Sequence, residues 1–118
     1  MGCSLSALKN KVRVYTNRDL VRVIAFIPQG HKHIRTLLEF SDGLTIVLQE
    51  ASTAGIVRAY LNVLLHPERV VEELVLKKID EDSRKKGYAE WQLVESGRGR
   101  DDILAYVEEK LSSSSVGG

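Results

Sequence analysis

Between Val12 and Gln49 apolar and polar positions alternate with a period of two, and from Thr53 onward the spacing becomes that of a helix. Val12 and Val14 point to one side, with Arg13 and Tyr15 on the other, as in a strand. After the polar turn Asn17-Arg18-Asp19, alternation resumes over Leu20 to Ile27 and stops at Pro28-Gln29-Gly30. The spacing predicts a first hairpin in which Val21 and Val23 face Val12 and Val14. Ile24 and Phe26 fall on the opposite face, and a strand that is apolar on both sides is expected in the middle of a sheet.

The second hairpin has a register that can be argued. A two-residue Asp42-Gly43 loop sets Ile46 opposite Glu39, whereas a three-residue loop, Ser41-Asp42-Gly43, pairs Phe40 with Leu44, Leu38 with Ile46 and Thr36 with Leu48. The longer loop aligns the apolar sets and gives Gly43 the left-handed position that a bulged loop needs. A helix over 53–65 follows, capped by Ser52 or Thr53, with Ile56, Tyr60, Val63 and Leu64 in one stripe that Val57 and Leu61 widen. His66-Pro67 ends it. Residues 67–79 fit either a second helix or a short helical turn at 67–73 leading to a hairpin. That hairpin would run from Leu74-Val75-Leu76 back through Tyr88 to Leu93, and it is the preferred alternative. A last helix at 101–111 starts at Asp101-Asp102 and buries Ile103, Leu104 and Val107.

These elements predict an α+β fold in a single domain over residues 12–111, a mainly antiparallel sheet with an N-terminal meander and helices on one face. Residues 1–11 read as a flexible lead and 112–118, Ser/Gly-rich, as a disordered tail. A length of 118 residues with 43% hydrophobic content supports one core and not two. Seventeen basic against sixteen acidic residues give a net charge of +1, which leaves no global field to gather nucleic acid or anionic membrane. The single Cys3 excludes an internal disulfide, and no apolar run is long enough to span a bilayer, so a cytoplasmic protein is expected.

Candidate chemistry is sparse. Met1-Gly2-Cys3-Ser4-Leu5-Ser6 matches an acylation pattern, with Gly2 and Cys3 as the two attachment points, but an unmodified start is preferred. His31, His33 and His66 would make a facial metal site only if the fold brought them together, and solvated loop histidines are the simpler expectation. Glu72-Glu73 and Asp80-Glu81-Asp82 lie among lysines and arginines and read as mixed-charge surface. Gly97-Arg98-Gly99-Arg100 precedes a helix start, where Asp101-Asp102 oppose an anion. No catalytic residue, cofactor or metal is implied.

The sheet face away from the helix carries Arg13, Tyr15, Arg22, Ile24, Phe26, Arg35, Leu37 and Val47. Arg13, Tyr15, Arg22, Phe26 and Arg35 are the candidate binding residues. Rings and guanidinium groups on an open sheet suit single-stranded RNA, while the apolar members suit protein. A non-enzymatic assembly module that self-associates as a homodimer is therefore the first expectation. Single-stranded nucleic acid is the alternative partner, and an enzyme with its site at a subunit cleft is the second alternative.

Residues 37–65, from Leu37-Leu38-Glu39-Phe40 through Ala51-Ser52-Thr53-Ala54 to Leu64-Leu65, resemble the hairpin-then-helix of the small dimerising subunit of the archaeal and eukaryotic KEOPS complex. The resemblance implies a non-catalytic subunit of a tRNA-modifying assembly. It covers about a quarter of the chain, and the rest departs, since that family has a helix between its first two strands where this chain has a hairpin and Pro28. No functional residue carries over.

Overall fold

A computed structural model describes residues 12–112 and 114–116. Its elements are β1 (Val12–Val14), β2 (Leu20–Phe26), β3 (Arg35–Phe40), β4 (Thr45–Gln49), α1 (Glu50–Leu64), β5 (Leu74–Lys78), β6 (Trp91–Glu95), α2 (Arg100–Ser112) and β7 (Ser114–Val116). β2, β3 and β4 form an antiparallel meander in that order, and α1 lies on one face of it, so the chain is α+β.

The three-residue loop is present. Phe40 N–H donates to the Leu44 carbonyl at 2.9 Å, Leu38 pairs with Ile46, and Thr36 pairs with Leu48. Gly43 has φ +94°, which a side chain would strain. Asp42 closes the turn by accepting the Leu44 N–H at 3.0 Å.

The first expected hairpin is absent, because the connection after β1 is held elsewhere. Asp19 accepts the Thr16 N–H at 2.7 Å and the Ser41 hydroxyl at 3.1 Å, and the Asp19 carbonyl accepts the Ser41 N–H at 2.7 Å. These bonds fasten the turn at 16–19 to the tip of the β3–β4 hairpin. β1 then runs parallel to β7, with Val12 opposite Ser114 and Val14 opposite Val116. The segment 112–118, expected to be a structureless tail, thus supplies a strand. It follows that β2 is an edge of its sheet and not the centre, which is β3.

α1 begins at Glu50 and not at Thr53. The Glu50 carboxylate accepts the Ile34 N–H at 2.8 Å and lies 3.2 Å from His33 Nδ1, so the helix start is tied to the segment entering β3. Thr53 is spent on packing instead of capping, its hydroxyl donating to Thr36 Oγ1 at 3.1 Å. That bond satisfies the buried Thr36 and fixes which sheet face α1 covers. On its other side α1 meets β6 through the buried Gly55, whose Cβ position is filled by Leu93 Cδ1. Arg58 donates to the Leu93 carbonyl, and Asn62 donates to Glu72 Oε2 at 2.6 Å.

The hairpin alternative for residues 74–95 is the one found, with Leu76 opposite Leu93 and Lys78 opposite Trp91. The helical turn expected before it reduces to one reverse turn, closed by Arg69 N–H on the His66 carbonyl at 3.0 Å. α2 carries Asp101 and Asp102 in its first turn and buries Ile103.

Candidate functional site

Burial is unusually thin. Among the described residues Ile103, at 8% exposure, is the one large apolar side chain that is buried, and no side chain is completely enclosed. A domain of this length normally encloses many. Core-facing residues such as Leu38, Ile46, Leu48 and Leu93 are half-buried, and the exposed apolar side chains are grouped.

The first group is the arc of α1 formed by Ile56, Val57, Tyr60, Leu61 and Leu64. Only the first turns of α1 lie over the sheet, at Thr53, while Gly55 and Asn62 address β6 and the chain before β5. The remaining side of the helix projects clear, leaving Tyr60 61% and Leu64 59% exposed. The second group is β2, which is exposed on both faces from Leu20 to Ala25. Its Val23 shares a face with Leu38, on the α1 side, and is still 56% exposed. On the other face Ile24 stands beside Leu37, which stands beside Val47, an apolar row across the sheet. Leu76 and Trp91 extend the pattern on the second hairpin, exposed on the face that carries Leu93.

The five residues expected on one binding face are not brought together. Arg22, Phe26 and Arg35 do share the open face, with Phe26 directly opposite Arg35. Arg22 is held by Glu39 at 2.6 Å across the strand pair. Tyr15 lies against Phe40, on the α1 side of the sheet, with ring centroids 4.2 Å apart, and donates to Asp42 Oδ2 at 2.8 Å. Arg13 joins it there, 3.3 Å from Asp42 and 5.2 Å above the Tyr15 ring. The hydrogen bond to Asp42 pushes the Tyr15 phenol above its ordinary value, and the Leu44 N–H holds the Asp42 carboxyl below its own.

A polar cleft of about 550 Å³ opens between the segment 66–73 and the start of α2. Four of its charged side chains pair with one another, and Glu68, Glu95 and Arg100 line it besides. Arg98 makes a two-pronged contact with Glu73 at 2.9 and 2.7 Å, and Arg69 lies 3.5 Å from Glu72. The Arg98 guanidinium holds the Glu73 carboxyl down at about 2. The Glu73–Arg98 pair ties the chain entering β5 to the connection between β6 and α2.

Among the described residues no three of His, Cys, Asp and Glu come together as metal ligands, and no helix is long and apolar enough to cross a membrane. Gly2 and Cys3, and with them the acylation pattern, lie outside the described residues. Three interacting residues escaped the sequence reading. Gly55 had a signal, since a glycine inside a helical pattern marks a close approach. Asp19 had one too, in the Thr16-x-x-Asp19 spacing of a side-chain-closed turn. Glu50 had none.

No protein-family model, no curated protein and no solved structure matches this chain.

Proposed function

We propose that this chain is a non-enzymatic assembly module whose working form is a homodimer, with the apolar arc of α1 in the shared core. The carrying observation is the exposure of Ile56, Tyr60 and Leu64 along one side of a well-formed helix, in a chain that encloses almost none of its large apolar side chains. Burying such side chains is worth about 1.5–3 kcal/mol each, so a monomer forgoes much of what normally offsets chain entropy.

A second copy is the occupant this surface suits. The net charge of +1 imposes little repulsion between copies, and the exposed groups are aliphatic and aromatic with few charges among them. Size-exclusion chromatography with light scattering, run from submicromolar to high micromolar concentration, tests the assignment. A mass twice that of the chain supports it, and a folded monomer throughout overturns it.

A further inference from the structure

The open edge of β2 gives this self-association a geometry. Phe40 addresses β4 with its backbone, as its N–H bond to Leu44 shows, so alternate residues Leu38 and Thr36 do likewise. Glu39, Leu37 and Arg35 must then address β2, where their partners are Arg22, Ile24 and Phe26. The backbone N–H and C=O groups of Val23 and Ala25 therefore face outward, and among the described residues no strand meets them. Buried or not, such a row is a template for another strand, and natural edges are usually blunted by lysine, proline or a central bulge. β2 is seven residues long with no lysine or proline; its one irregularity, between Leu20 and Arg22, lies at its start.

We propose that β2 pairs antiparallel with β2 of a second copy, centred on Ile24, so that two three-stranded sheets become one continuous sheet. The proposal rests on the homodimer reading and specifies its junction. Registers compatible with the outward groups differ in what they set opposite what. Centred on Arg22, the pairing opposes two like charges, and centred on Val23 it sets Arg22 against Ile24. Centred on Ala25, it sets Val23 against Ile27 and Arg22 against Pro28, both beyond the end of β2. Centred on Ile24, it sets Val23 against Ala25 and the Arg22 guanidinium beside the Phe26 ring of the other copy. The row Val47–Leu37–Ile24 then continues unbroken into Ile24–Leu37–Val47 of the second copy.

The same two-fold axis stands perpendicular to the sheet and leaves both α1 helices on one face. Val23 and Ala25, uncovered in the single chain, lie on that face, together with the exposed arcs of the two helices. Both apolar groups described above then share one face of the continuous sheet.

Cysteine cross-linking tests it, in full-length protein with Cys3→Ser so that each variant carries one thiol. Ile24 meets its own copy at a non-hydrogen-bonded position, where Cα atoms lie about 4.5 Å apart, within disulfide reach. Mild oxidation is expected to convert most of Ile24→Cys to a covalent dimer, and a mixture of Arg22→Cys with Phe26→Cys to a mixed dimer. Val23→Cys and Val47→Cys are expected to stay largely uncoupled. Coupling at Val23 and not at Ile24 overturns the register. No coupling at any β2 position, in protein that light scattering shows to be dimeric, overturns the proposal and leaves the homodimer standing on another surface. A monomeric wild type removes both. Ala25→Pro gives an independent check, because it deletes an outward N–H and no bond to β3. It is expected to raise the dimer dissociation constant at least tenfold with the circular dichroism unchanged, and unaltered dimerisation overturns the proposal. If that variant fails to fold, the cross-linking decides.

Discussion

The ring of Tyr15 lies flat on the ring of Phe40, with centroids 4.2 Å apart and planes 22° from parallel. This contact, with the Tyr15 hydroxyl on Asp42, holds the end of β1 against the β3–β4 turn and away from β2. An aromatic pair of this geometry adds to plain apolar burial. Tyr15→Leu is therefore expected to lower the thermal midpoint by a few degrees, followed by circular dichroism, and an unchanged midpoint would show that the stacking holds nothing in place.

Gly55 and Leu93 set the distance between α1 and β6. Any side chain at position 55 meets Leu93 Cδ1, so the helix and the hairpin must separate or Leu93 must turn. Gly55→Val is expected to cost about 1–3 kcal/mol of stability through overpacking. In a Leu93→Ala background the same change should cost less, with a coupling of about 0.5–3 kcal/mol in a denaturant double-mutant cycle. Additive costs would mean that the two residues do not share that space.

The Glu73–Arg98 pair predicts a pH dependence with a definite sign. Glu73 titrates at about 2 in the folded chain against an ordinary 4.5, because Arg98 favours its charged form. Its contribution is fully present above the ordinary value and is lost as pH falls from there toward 2. The gap in thermal midpoint between wild type and Glu73→Gln should be constant above pH 6, narrow below 4.5 and close near 2. A gap that persists unchanged to pH 2 would mean that Glu73 acts through packing and not through its charge.

Recognition of single-stranded RNA is the competing use of the open face, and the geometry weakens it by separating Tyr15 from Phe26 and engaging Arg22 with Glu39. A labelled RNA single strand should show no change in fluorescence anisotropy at physiological salt, with wild type or with Arg22→Ala. A rise that Arg22→Ala weakens, with a salt slope reduced by about one phosphate contact, would favour RNA.

The sheet was legible where side-chain period and turn chemistry agreed. Phe40, Leu38 and Thr36 found their partners because only one loop length aligned the apolar sets around Gly43. The neighbour of β2 was not legible. Val12 and Val14 match Val21 and Val23 in pattern, but the backbone bonds that Asp19 makes to Thr16 and Ser41 decide where the chain goes, and periodicity does not encode them. The same limit applies to the candidate face. Alternation placed Arg22, Phe26 and Arg35 together correctly, and it failed for Arg13, which belongs to a different sheet, and for Tyr15, which lies beyond the end of β1 against Phe40. Apolar residues on both sides of β2 suggested a central strand. In the single chain it is an edge, and pairing with a second copy would make it central.

Sedimentation equilibrium of wild type beside Tyr60→Glu, at micromolar concentration, tests self-association through the α1 arc most directly. Wild type is predicted to sediment at twice its 13.2 kDa, and Tyr60→Glu near 13.2 kDa with its helix content kept, a rise in dissociation constant of at least about tenfold. A folded wild-type chain that sediments as a monomer across that range would contradict the assignment.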